Sequence, residues 1–141
     1  LDALKIGNTD YALIEHPFSC DFSQEIYDRL LSLNYDYGIK PILAHIERYP
    51  AFMDDGDLLD SYIEMGCIAQ VNISSFVDSS RSLRKKLFKY LESGRIHLIG
   101  TDCHNLSSRK PDFETGVNAI IKKCGAEAVD VLERNANILT K

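Results

Sequence analysis

Short apolar runs alternate along the chain with longer segments of helical period. Tyr11-Ala-Leu-Ile leads into Glu15, Pro41-Ile-Leu-Ala into His45, Ile68 to Val71 into Asn72, and Ile96-His-Leu-Ile-Gly-Thr into Asp102 and His104. Between them Ile26, Leu30, Leu33 and Tyr37 recur at helical spacing, with Asp21 to Ser23 as N-cap candidates and Gly38 at the C-cap position. Leu58, Leu59, Tyr62 and Ile63 form a second stripe ending at Gly66, and Leu83, Leu87, Tyr90 and Leu91 a third ending at Gly94. Phe113, Val117, Ile120 and Ile121 mark a further helix, and Ala126 to Ala136 another. The segment through Pro50 and Asp54-Asp-Gly reads as a loop. Strands this short and this apolar are expected where a parallel sheet is covered on both faces. The fold class is therefore α/β, with about four parallel strands alternating with helices.

Such a half-sheet is either a small open α/β domain or part of a distorted β/α, TIM-like barrel, which typically takes about 250 residues. The chain has 141 residues and no low-complexity linker, so residues 1–141 are expected to form one α/β domain. Almost no lead-in precedes the first apolar run, and an open parallel edge invites association. Both features favour a piece of a longer barrel and keep a homo-oligomer among the expectations.

The formal net charge is −5, with no basic stripe, which argues against nucleic acid or a lipid surface as partner while allowing a local positive site. No run approaches the roughly 20 apolar residues of a spanning helix, and Leu1-Asp-Ala-Leu-Lys is not the start of a signal peptide. A cytoplasmic protein without membrane insertion is expected. Cys20, Cys67, Cys103 and Cys124 lack CxxC spacing and read as reduced thiols.

If the apolar runs are parallel strands, Glu15, His45, Asp102 and His104 collect on one carboxyl-end rim, where α/β folds place their chemistry. Imidazole and carboxylate together suit manganese, iron or zinc. Each residue alone would pass as a loop histidine or a helix N-cap; four converging on one rim point to a metal site. Arg48, on the loop leaving the His45 strand, is placed to clamp a phosphate beside it, the plainer alternative being an ion pair with Glu47 or Asp54. Asn72 either orients a ligand or closes an Asx turn. His16 should point away from Glu15, and His97 reads as a packed imidazole. Cys103 to Arg109 has the C-x5-R spacing of thiolate phosphatases. That loop lacks glycine, and Lys110-Pro111 stands where a helix N-terminus should present amides, so Asp102 and His104 as ligands are the better reading.

Ala12-Leu-Ile-Glu-His-Pro-Phe18, Pro41-Ile-Leu-Ala-His-Ile-Glu-Arg-Tyr49, Gln70-Val-Asn72 and Gly100-Thr-Asp-Cys-His-Asn105 together resemble the carboxyl-terminal half of the PHP-type bacterial protein-tyrosine phosphatases of capsular and exopolysaccharide synthesis, within the polymerase and histidinol phosphatase superfamily. The resemblance implies a distorted barrel with up to three metal ions, often manganese, at its rim. It makes Glu15 a bridging carboxylate, His45, Asp102 and His104 further ligands, and Arg48 the phosphate clamp. It implies hydrolysis of phosphotyrosine in a protein such as a bacterial tyrosine kinase of polysaccharide export, with a metal-activated hydroxide attacking phosphorus. The family's opening His-x-His pair has no counterpart upstream of Glu15, Ile46 replaces a proline, and Cys103 replaces a small residue. The chain by itself is thus expected to bind metal weakly and hydrolyse little. The competing expectations are a small-molecule phosphatase such as a histidinol-phosphatase, a metal-dependent amide hydrolase, and a non-catalytic α/β binding module.

Overall fold

The computed structural model describes residues 2–5, 10–100 and 111–140. Five strands form one sheet in sequential order: β1 (Asp2–Lys5), β2 (Tyr11–Glu15), β3 (Lys40–Leu43), β4 (Ile68–Asn72) and β5 (Leu98–Gly100). The pairs β2–β3, β3–β4 and β4–β5 are parallel. The helices are α1 (Gln24–Tyr37), α2 (Pro50–Met53), α3 (Gly56–Met65), α4 (Ser75–Asp78), α5 (Arg81–Glu92), α6 (Pro111–Cys124) and α7 (Ala126–Thr140). A 3-10 turn, Ile46–Arg48, joins β3 to α2.

The four parallel strands match the apolar runs. The fifth corrects the expectation of a first strand without lead-in: β1 pairs antiparallel with β2, Asp2 opposite Glu15 and Lys5 opposite Ala12, and covers that edge. Four residues are too few for a periodicity, and only the long-range partner reveals them. The loop through Pro50 holds the short helix α2, begun by proline at its first turn. Strand β5 begins at Leu98 rather than Ile96, because the half-buried His97 ring enters the ladder itself: its Nδ1 accepts the Ala69 N–H at 3.0 Å.

Helix boundaries follow from local chemistry. Asp55 accepts the N–H groups of Asp57 and Leu58 ahead of α3, and Ser80 accepts that of Leu83 in α5. Ser23 occupies the N-cap of α1 but makes no side-chain cap bond, and Gly38 closes that helix at φ 66°.

Sequential strand order means that every parallel crossover moves the same way across the sheet. With right-handed crossovers, all helices then fall on one face, whereas a doubly wound sheet reverses direction. The burial agrees: Ile14, Leu43, Ala69 and Val71 pack with Leu30, Tyr62, Leu87, Ile120 and Leu132 of the helices in one large core. On the other face Tyr11, Leu13, Ile42, Ile68 and Leu98 form a small cluster with no helical member. One-sided winding of this kind is how the wall of a β/α barrel is built, and the sheet is open among the described residues.

Candidate metal centre

Glu15, Asn72 and Gly100 end three of the parallel strands, and period-2 alternation puts them on the face of Leu13, Gln70 and Leu98. His45 follows β3 by two residues. Its backbone lies in the left-handed region at φ 54° and ψ 48°, a conformation disfavoured for a residue with a Cβ and sustained only where the surroundings over-determine it. That turn brings the His45 ring between its neighbours: Nε2 lies 3.1 Å from Glu15 Oε1, and Nδ1 lies 3.2 Å from Asn72 Oδ1. His45 is 21% exposed and Glu15 57%, so the pair opens to solvent. Asn72, 2% exposed, lies beneath.

With Nδ1–H donating to the Asn72 carboxamide oxygen, the Nε2 lone pair would be available to an ion at the rim, and an acceptor behind the ring commonly fixes a ligating imidazole in this way. Two ligand atoms each about 2.1 Å from one ion, at tetrahedral or octahedral angles, stand about 3.0–3.4 Å apart. The Glu15–His45 separation fits that edge, so the residues present suit a divalent ion.

The support beneath is polar and buried. Glu47, 6% exposed, accepts the Asn72 N–H at 3.0 Å and the Ser75 hydroxyl at 2.6 Å through Oε2. The loop after Glu15 is tied to the loop after His45 by Tyr49, whose hydroxyl donates to the His16 carbonyl at 3.0 Å and accepts the His16 N–H at 2.9 Å. Burial raises the Tyr49 pKa, keeping this clasp neutral. Around it Phe22, Phe52 and Tyr62 pack edge-on and tilted, with Phe22–Tyr49 centroids 4.9 Å apart. A Cβ at Gly100 would come 2.6 Å from the Gln70 carboxamide nitrogen, the free end of a flexible side chain, and 3.4 Å from Asn72 Oδ1, so a larger residue there would push Gln70 aside.

Of the residues that the sequence singles out, Glu15 and His45 are brought together. Arg48 is on the same loop, exposed, its guanidinium 5.5 Å from the Phe18 ring centre. Of the partners offered for its alternative reading, Glu47 bonds Asn72 and Ser75 through Oε2, and Asp54 meets Lys86 at 3.1 Å. Asp102, His104 and the whole Cys103–Arg109 motif lie outside the described residues, and among those described no group of three or more His, Cys, Asp or Glu gathers. Beyond β5, the Gly100 carbonyl accepts the Ile73 N–H at 2.8 Å, which levels the ends of β4 and β5. Asn72 resolves as a side chain bonded to a ring, which the sequence left even with an Asx turn. Glu47 was legible only as an ion-pair partner. His16 packs its ring on Phe22, 5.3 Å between centres, and burial lowers its pKa, in keeping with its exclusion from the site.

The family model described as capsular polysaccharide synthesis, CpsB/CapC, matches residues 1–140. The chain belongs to this family. It is 33% identical over 133 residues to the tyrosine-protein phosphatase CpsB of Streptococcus agalactiae serotype V, covering 90% of this chain and 54% of that protein. It is 28% identical to the tyrosine-protein phosphatase YwqE of Bacillus subtilis, covering 98% and 54%. A solved structure from work titled as crystal structures of YwqE from Bacillus subtilis and CpsB from Streptococcus pneumoniae, "unique metal-dependent tyrosine phosphatases", superposes with a TM-score of 0.84 at 26% identity, covering 97% of this chain and 55% of that one. The chain thus spans about half the length of the CpsB/CapC relatives it matches.

Proposed function

We propose that residues 1–141 form a single α/β domain, the carboxyl-terminal portion of a PHP-type barrel, and that the whole protein is a cytoplasmic metal-dependent protein-tyrosine phosphatase of capsular or exopolysaccharide synthesis. The observation that carries the reading is the His45 ring, strained into place with Nε2 3.1 Å from Glu15 and Nδ1 on Asn72. Glu15 and His45 would hold the ion, manganese before iron or zinc, as would Asp102 and His104, two and four residues after Gly100 in the sequence. A bound divalent ion supplies a water whose pKa is lowered toward about 7.

The chain's own residues do the rest. Arg48 holds the phosphoryl oxygens bidentately as charge builds in the transition state. Phe18, 51% exposed beside that guanidinium, offers its face to the phenyl ring of a tyrosyl phosphate. This aromatic platform favours phosphotyrosine over an alkyl phosphomonoester, with a tyrosine kinase of polysaccharide export as the candidate partner. Asn72 is a positioning residue: it fixes the His45 tautomer without touching substrate.

The test is turnover of a phosphotyrosyl peptide by the full-length protein loaded with manganese. His45→Ala should abolish it and Cys103→Ala should leave it intact; the reverse pattern would establish the thiolate route.

A further inference from the structure

On the outer side of the helical layer, away from the metal face of the sheet, α5 and α6 enclose a groove of about 600 Å³. Its apolar floor is the partly exposed Phe88, backed by the buried Phe76 ring, with ring centres 5.3 Å apart. Five cations surround it: Arg81, Arg84 and Lys85 from α5, and Lys122 and Lys123 from α6. Arg81, Arg84, Lys85 and Phe88 recur at i, i+3, i+4 and i+7, one face of α5.

On a chain of net charge −5, no carboxylate lines this groove among the described residues. The contrast within α5 is informative. Lys86, on another side of the helix, is paired with Asp54 at 3.1 Å, while Arg81, Lys85, Lys122 and Lys123 join no ion pair among the described residues. Glu92, at the far end, contacts the Cys124 thiol at 3.6 Å instead. Arg84 gives one N–H to the Val77 carbonyl at 3.1 Å, which braces its side chain. Like charges gathered around an apolar floor repel one another and are relieved by an anionic occupant.

We propose that this groove docks an acidic segment of another polypeptide, with an apolar or aromatic side chain on the Phe76–Phe88 floor and carboxylates against the cations. A single phosphate would leave most of 600 Å³ unfilled, and a flat lipid surface would meet the rim without reaching the floor. The groove and the metal centre are on different sides of the sheet, so the docking stands independently of the phosphatase reading.

The test is fluorescence anisotropy of a labelled glutamate–tyrosine copolymer on the full-length protein at low salt, against polyglutamate, duplex DNA and phosphatidylserine vesicles. The copolymer should bind more tightly than polyglutamate, and the affinity should fall about ten-fold or more in the triple variant Arg81→Glu, Lys85→Glu, Lys122→Glu, whose positions are exposed and whose fold is checked by circular dichroism. Equal copolymer affinity in the folded variant, or wild-type binding confined to DNA or vesicles, overturns the proposal.

Discussion

The two faces of the sheet are built from alternate residues of the same strands and do different things. Ile14, Leu43, Ala69 and Val71 point into the helices and are fully enclosed by apolar neighbours. Tyr11, Leu13, Ile42 and Ile68 face the other way as a thin cluster, and their rows end in Glu15 and Asn72. One parity carries the core, and the other carries the proposed metal ligand Glu15 and the Asn72 that supports His45. The separation is incomplete at the rim, where Glu47 and Tyr49, buried on the helical side, hold the loops that aim Asn72 and His45.

That contrast can be broken residue by residue. The largest effect should come from the helical side. Phe52→Ala empties the aromatic knot and should cost about 3–5 kcal/mol in urea unfolding. Asn72→Ala crosses both regions: it should destabilise by about 1–3 kcal/mol through unpaired buried groups and weaken metal binding by about 10–100-fold in calorimetry. His45→Gly should divide them, leaving the melting temperature unchanged or raised because left-handed strain of about 1–2 kcal/mol is relieved, while metal binding is lost. Phe18→Ala should lower kcat/KM for a phosphotyrosyl peptide by about ten-fold and leave an alkyl phosphomonoester nearly unaffected.

The smallest effect is one of pH. The His97 ring accepts the Ala69 N–H and is half-buried, and burial holds its pKa below the ordinary 6.5. The unfolded chain therefore takes up the proton first, so stability is flat above about pH 6.5 and declines as pH falls below it. The urea midpoint at pH 5.5 should be lower than at pH 8, and His97→Gln should reduce that dependence, leaving the part due to His16, whose pKa burial also lowers.

Much of this was legible in the residues. Apolar runs ending on Glu15 and His45 located two members of the rim, and helical stripes ending at glycine located α1, α3 and α5. Asn72 was ambiguous because its role depends on the His45 ring, carried on the loop after the neighbouring strand β3, a contact that no local pattern encodes. The left-handed turn at His45 is invisible for the same reason: tertiary packing enforces it against intrinsic preference. The absence of a basic stripe was the wrong expectation for α5, where Arg81, Arg84 and Lys85 share one face; the groove escaped because Lys122 and Lys123, which complete it, come from another helix beyond β5. Asp102 and His104 lie outside the described residues, so their part in the site stands on the sequence.

The central claim is that the Glu15–His45 edge grips a divalent ion. It is tested most directly by titrating Mn2+ into the full-length protein and its His45→Ala variant by calorimetry. A saturable site should appear in the first and be weakened at least ten-fold in the second. Identical isotherms, or no heat in either, would contradict it.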